Sequence, residues 1–443
     1  MLYQNDRALC QFLEGLGHRA EQVDIAQETA AFLANLRQGL DREQEDMYVL
    51  PSYILFDGQL PRERQALVMD AGGSNLRAAL VRFDAEGQAE IQGLSQQTMP
   101  GVGEDLNQEA FYDRLLAPLL PLLGESRELG LCFSFVADIQ PNRDGLVRRF
   151  SKEIDLPEVE GTYLGEGLKA ALRRQGLDDR LETCVLNDTT AALLGGVVRL
   201  HGGPYSSYIG FILGTGTNTA YMERLGNLGK LDAAYRSEHD PESRMLINME
   251  SGTYAIQRRS EIDRSLDARS QLPGDHLFEK MLSGRYKAQQ LELCIEAAAQ
   301  AGLLSAAACR RLERGALEAL DSRAIDDFLR HPQAAGLLHD LAEGDQDLCR
   351  IYGLIENMEE RQARLITANL AATLEQCAAG RSPLDPVALT IDGSSYSKSW
   401  RLRHRIDYYI EAWLRGHCAY YVDCFESRNS NLLGSALAVL SGR

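Results

Sequence analysis

The chain has no CxxC pair, no block of consecutive lysines and arginines, and no apolar run that approaches the length of a membrane span. Each absence removes a class. Its nine cysteines are scattered and odd in number, which argues against a disulfide framework or a structural zinc site. Basic side chains number 46 against 64 acidic ones, a formal charge of -18, so nucleic acid is not an expected partner. An anionic substrate then has to be held by local groups, namely backbone amides, a few arginines or a metal ion, because the overall field repels it. The opening MLYQNDRALCQFLEGLG lacks the basic head, apolar core and cleavage site of a signal peptide, so a cytoplasmic protein with no membrane partner is the expectation. What remains is a globular composition, 44% apolar and 25% charged over 443 residues, enough for two or three domains and a substantial core.

Residues 19–46 read as a helix with an apolar stripe of Val23, Ala26, Ala30, Leu33 and Leu36, stopped before Pro51. A glycine-turned meander follows: strand ALVMD, a loop, strand RAALVRF, the turn AEGQ, and strand AEIQGLSQQTM. Helical stretches near 109–124 and 162–175 flank a fourth apolar run, LGLCFSFVADI at 129–139. This alternation points to an α/β domain with a mixed sheet. Residues 206–224 repeat the strand, glycine turn, strand design, and 255–380 is mainly helical, with 351–377 its longest member. Strands near 386–396 and 419–425, a helix near 399–414 between them and a final apolar helix complete the pattern.

Three glycine turns, each after an apolar strand, carry the chemistry. In Asp70-Ala71-Gly72-Gly73-Ser74-Asn75 the glycines let backbone N–H groups approach a phosphate, Asp70 can face a metal ion, and Arg77 just beyond offers a planar donor fork. Taken alone it is equally an ordinary hairpin. Gly214-Thr215-Gly216-Thr217-Asn218 supplies further amides and hydroxyls but is not a dinucleotide fingerprint, because the third glycine is missing and a strand follows. Asp392-Gly393-Ser394-Ser395 is the third. Between them, CVLNDTTAALLGG delivers Asn187 and Asp188 to the head of a helix, where Asp188 is either a plain cap or a general base. Ser134, Ser151, Lys152, Asn248 and Glu250 are polar residues in apolar settings, of the kind that grip a polyol.

Taken in order, these segments resemble the hexokinases of the type best known from eukaryotes. The first phosphate loop of that family, close to DLGGTNFR, is similar to Asp70–Arg77; FSFP and a WTK element are similar to Phe133–Val136 and Phe150-Ser151-Lys152. NDT is Asn187-Asp188-Thr189, GTGSNACYME is similar to Gly214–Glu223, INMEWG to Ile247–Gly252, and FEKMxSGxYLGE to Phe278–Gln289. A DGT-type loop is similar to Asp392–Ser395.

The resemblance implies an actin-like (ribonuclease H-like) α/β fold, two domains with mixed sheets around a central cleft: 62–205 plus 432–443 as the small domain, 1–61 plus 206–431 as the large one. It implies transfer of the γ-phosphoryl of ATP to the 6-hydroxyl of a hexose, glucose first, by one catalytic unit acting as a monomer or homodimer. Asp188 is then the base, with Lys152 and Arg77 assisting. The hexose contacts are Ser134, Ser151, Lys152, Asn187, Asp188, Asn218, Glu250 and Gln289. Gly72, Gly73, Ser74, Asn75, Gly214, Thr215, Gly216, Gly393, Ser394 and Ser395 cradle the nucleotide, and Asp70 positions Mg2+ through water. Departures fall on Gln289 for a glutamate, Val136 for proline, Ser251 for tryptophan, and Asn429-Ser430-Asn431 for a glycine-rich loop. They leave open a sugar-responsive regulator of weak activity and a kinase for another sugar, such as an amino sugar.

Overall fold

The computed structural model describes residues 1–150, 154–426 and 429–441. Helix α1 (Ile25–Asp41) is capped by Asp24, whose carboxylate accepts from the Gln27 N–H at 3.1 Å. It buries Ile25, Phe32, Leu36 and Leu40, while Ala26 and Ala30 of the expected stripe face solvent. The larger side chains next to those alanines bury more apolar area, and they set the helix rotation.

Strands β1 (Leu50–Leu55), β2 (Arg64–Ala71), β3 (Asn75–Phe83) and β4 (Ala89–Thr98) come next, the last three forming the expected meander. Helix α2 (Gln108–Leu116) leads into β5 (Glu128–Phe133). The single run expected at 129–139 is in fact two strands, because the chain leaves the sheet at Ser134. Its second part, β6 (Val136–Ile139), pairs with β7 (Gly145–Arg149) in a separate ribbon. Helix α3 (Leu164–Arg174) and β8 (Glu182–Leu186) end this half. Helix α4 (Asp188–Arg199) then precedes β9 (Ser207–Leu213), β10 (Thr217–Arg224) and β11 (Arg244–Asn248). The helical stretch includes α5 (Leu277–Leu282), α6 (Gly284–Gln300) and α7 (Asp345–Cys377), which starts before the expected Ile351. Strands β12 (Val387–Asp392) and β13 (Val422–Glu426) and helix α8 (Ser430–Leu440) follow. Among the described residues no helix is long and apolar enough to cross a membrane.

One sheet runs β4-β3-β2-β5-β8 and the other β1-β11-β10-β9-β12-β13, and both mix parallel and antiparallel pairs. Between them lie two helices. Helix α8 packs on β2, β5 and β8, helix α4 on β9, β10 and β12, and the two helices pack on each other. The sequence expectation grouped α4 with the small domain, yet it rests on the large sheet. Both helices are buried nearly all round, consistent with their apolar sequences and with a position inside a sheet–helix–helix–sheet sandwich. Val68 and Val81 from one sheet, Ala388 from the other, and Leu193, Val197 and Leu437 from the helices share this core.

The helix pair is close enough to exclude side chains at its crossing. A Cβ on Gly434 would stand 1.9 Å from the Ala191 carbonyl oxygen, and one on Gly195 would stand 2.3 Å from that of Ser430. Backbone cannot yield as the tip of a side chain can, so overpacking here shifts whole helices. Gly434→Ala is expected to cost about 2 kcal/mol or more in urea unfolding, against less than about 0.5 kcal/mol for Gly124→Ala, where an added Cβ meets nothing within 4 Å. Equal midpoints for the two variants would contradict this account of the crossing.

Candidate active site

A cleft of about 550 Å³ opens where the strand ends of the two sheets face each other, and Gly73, Ser134, Asp188, Gly214, Glu250 and Gly393 all line it. Pairing register places Arg77, Asp70, Cys132 and Leu186 in one lateral row across β3, β2, β5 and β8. Side chains in register on neighbouring strands point to the same face, so this row sets Arg77 beside Asp70, which reaches the cleft lining through Asn431. Asp70 is buried and Arg77 donates to its Oδ2 from Nε at 3.0 Å and again from Nη2. The arginine fork expected to face phosphate is therefore closed on Asp70, with Nη1 donating to Asn429 Oδ1 at 3.1 Å. Asn431 Nδ2 reaches Asp70 Oδ1 at 3.3 Å, and its own Oδ1 is buried without a partner among the described residues. Cys132, under this cluster, is inert: burial, then the nearby charges of Asp70 and Asp188, push its thiol well up.

The β8–α4 junction separates the capping side chain from the acid. Asn187 is the cap, its Oδ1 accepting from the Thr189 N–H at 2.8 Å, and Asp188 is the first helical residue. Thr189 Oγ1 donates to Asp188 Oδ1 at 3.2 Å. Capping by Asn187 leaves Asp188 to project into the cleft it lines.

Opposite lies a relay. Asn218 Nδ2 donates to Asn248 Oδ1 at 2.7 Å, and Asn248 Nδ2 donates to Glu250 Oε1 at 2.7 Å. Asn218 Oδ1 accepts from the N–H groups of Thr219 and Ser251, at 2.7 and 3.1 Å. Asn218 lines the cleft itself and through Asn248 also fixes Glu250, which sits in a left-handed conformation at φ 46°. A non-glycine residue held there is strained, and the relay is what aims it.

The Gly214 turn is bound to its neighbours: Ser395 Oγ donates to the Gly214 carbonyl at 2.9 Å, and the Gly284 N–H does so at 2.8 Å. A side chain at Gly216 would meet Glu279 Oε2 at 2.6 Å. Glu279 is the residue the sequence reasoning missed. It opens from α5 into the cleft, and its Oε2 accepts from the Thr217 N–H at 3.0 Å. Gln289, expected as a sugar contact, is exposed on α6 and does not line this cleft, so the acidic group on this side is Glu279 instead. The signal was present in FEKM, an acid set among residues as apolar as Phe278, Met281 and Leu282. Ser151 and Lys152 lie outside the described residues.

Burial raises the carboxyls of both Glu250 and Glu279. For Glu250 the Asn248 amide and then His276 oppose the rise; for Glu279 His276 and the Thr217 N–H do. Among the described residues no group of three or more His, Cys, Asp or Glu could hold a metal ion alone. The fit to magnesium is of another kind: Asp70 and the unpartnered Asn431 oxygen stand together as acceptors for metal-bound water, which suits an ion held mainly by phosphate oxygens.

Two family models, both described as hexokinase, match residues 12–198 and 208–441. The chain is 28% identical to Hexokinase-1 of Oryza sativa subsp. japonica over 444 residues, 94% of this chain and 83% of that protein. It is 25% identical to Hexokinase-1 of Schizosaccharomyces pombe over 398 residues, 85% of this chain and 79% of that protein. A solved structure of the Schistosoma mansoni hexokinase complexed with glucose matches at a TM-score of 0.74 and 22% identity, covering 97% of this chain and 98% of that one. The fold is the actin-like one expected from the sequence.

A raised carboxyl opposes folding while ionised, and its cost disappears as pH falls through its folded-state value. Replacing Glu279 by glutamine keeps an acceptor for the Thr217 N–H and removes the charge. Glu279→Gln is therefore expected to be more stable than the parent in urea at pH 7–8, with the gap closing as pH falls toward 4.5, the ordinary glutamate value. A variant less stable than the parent at pH 7 would show that His276 and the Thr217 N–H together outweigh the cost of burying the carboxylate.

Proposed function

The chain belongs to the hexokinase family, and on that premise we propose how its cleft carries out ATP-dependent phosphorylation of a hexose, with glucose the first candidate and the 6-hydroxyl the acceptor. The observation that carries the assignment is the position of Asp188, which shares one cleft with Gly73, the Gly214 turn, Gly393 and Glu250. A single carboxylate thus stands between groups suited to phosphate and groups suited to sugar.

Phosphoryl transfer requires little covalent help from protein, so positioning and charge compensation dominate. Asp188 takes the proton of the attacking hydroxyl as the oxygen bonds to phosphorus. Asn187, Glu250, Glu279 and Ser134 hold the remaining hydroxyls, and Ser151 and Lys152 complete the set. Backbone N–H groups of Gly73, Ser74, Thr215, Gly216, Ser394 and Ser395 donate to phosphate oxygens, while those of Gly72, Gly214 and Gly393 hold their own turns in shape, and the start of α8 adds its own favourable dipole. Magnesium, watered by Asp70 and Asn431, would offset phosphate charge, which the net charge of -18 otherwise opposes. Arg77 acts by fixing Asp70. We place the reaction in the cytoplasm, in keeping with nine cysteines of which none is paired.

Asp188→Ala is expected to lower kcat for glucose by about 10²- to 10⁴-fold in an ADP-release assay, with the folded state retained. Near-parental turnover would remove Asp188 as the base. Glu279→Gln is expected to act mainly on the hexose KM, raising it about 10- to 100-fold, as loss of a charged acceptor does. An unchanged KM would return Glu279 to a purely structural role.

A further inference from the structure

Large apolar side chains that stand singly on a surface are ordinary. Trp400 and Tyr408 do not stand singly. Trp400 lies just before the helix Leu402–Tyr409, and its ring meets that of His404 edge-on, with centroids 5.8 Å apart. Tyr408 follows His404 by four residues and so lies on the same helix face. The three rings form one stripe that faces solvent, Trp400 exposed at 42% and Tyr408 at 64%, while Leu402, Ile406 and Tyr409 turn inward. Trp400 is also held in place: its backbone N–H donates to Asp326, and the Arg330 guanidinium lies 4.7 Å above its ring. A large side chain already fixed while exposed loses little freedom when something covers it.

Charge is sorted along the stripe. Lys398 and Arg330 stand at the Trp400 end, and Asp407 and Glu411 at the Tyr408 end. Asp407 pairs with Arg403 at 3.8 Å and accepts from the Tyr396 hydroxyl, and Glu411 pairs with Arg415 at 3.2 Å. Ion pairs this exposed hold weakly, so both acids can take a further partner. A second copy brought up by a twofold axis beside His404 can run parallel or antiparallel. Parallel pairing sets each charged end against its own copy. Antiparallel pairing lays Trp400 on Tyr408 and the Lys398 end against the Glu411 end, and each contact is made twice. We propose that the stripe is the contact face of a homodimer, two copies of this chain packed antiparallel with His404 at the dyad. Its aromatic centre and charged rim match the anatomy of such a contact. One helix face is smaller than a standard interface, so the dimer is reversible, with Kd about 1–100 µM. Nothing in it depends on the reaction assigned to the cleft.

Sedimentation equilibrium on the full chain over a range of concentrations would compare the parent with Tyr408→Glu, Lys398→Glu, Glu411→Lys and the double variant Lys398→Glu with Glu411→Lys, each first checked by circular dichroism. All of these changes fall on exposed side chains. The parent is expected to associate to a dimer and no further. Tyr408→Glu is expected to raise Kd about 10-fold or more, and each single charge reversal about threefold or more. The double variant restores opposite charges across the dyad and is expected to return Kd to within about twofold of the parent. A parent that stays monomeric at every concentration would overturn the proposal, and so would a dimer indifferent to Tyr408→Glu. A double variant as weak as the two reversals combined would overturn the antiparallel arrangement, and with it the proposal as stated.

Discussion

The backbone contact between α4 and α8 is the constraint on which the rest of the molecule depends. Gly195 and Gly434 let the two helices meet carbonyl against Cα, and that contact fixes how far apart the two sheets stand. The same crossing sets both helix starts on the cleft, Asp188 from one and Asn431 from the other. Two positive helix ends thereby converge where phosphate charge has to be accommodated, which a chain with a strongly acidic surface cannot otherwise offer. Burial of these helices on every side supplies the stiffness that catalytic placement requires, since a packed core has discrete arrangements and does not deform smoothly.

Within that frame the site is built by tension between stability and use. Glu250 is held in a left-handed backbone conformation, and Glu250 and Glu279 are both half-buried in the cleft wall, where desolvation raises their carboxyls. Neither choice favours folding. Each is compensated by specific partners, the Asn218–Asn248 relay for one and the Thr217 N–H for the other, so the acceptors stand ready before a sugar arrives. Arg77 plays a similar part for Asp70, a tied pair in place of two loose charges.

Much of this was legible in the sequence. The strand and glycine-turn alternation showed the α/β class and the three turns, because period-2 burial and glycine placement are local signals. The order of the short motifs pointed to the family to which the chain belongs. What could not be read was anything set by three-dimensional register. The break at Ser134 that turns one apolar run into β5 and β6 depends on where the sheet ends, and apolar composition is the same on either side of it. Arg77 facing Asp70 follows from the β2–β3 pairing, which is fixed by the turn, whereas the fork itself suits phosphate just as well. Gln289 and Glu279 both lie on helices, and only the rotation of α5 and α6 decides which one meets the cleft. Two alanines misplaced the buried face of α1 for a related reason: they satisfy apolar spacing while contributing little area.

Helix α8 also has a meaning in time. It follows β2 by more than three hundred residues, yet it fills the space between β2, β5, β8 and α4, where Leu432, Ala436 and Leu437 meet Val68 and Leu193. No earlier segment occupies that volume. During synthesis the first sheet and α4 are therefore complete for hundreds of residues while one face of each still lacks its covering, a long interval of exposed apolar surface. The contacts that end it join residues near 430–440 to residues near 67 and 130, among the largest sequence separations in the chain, and such closure is slow by its topology. Catalytic competence and protection from aggregation then arrive in the same event, the docking of a single short helix.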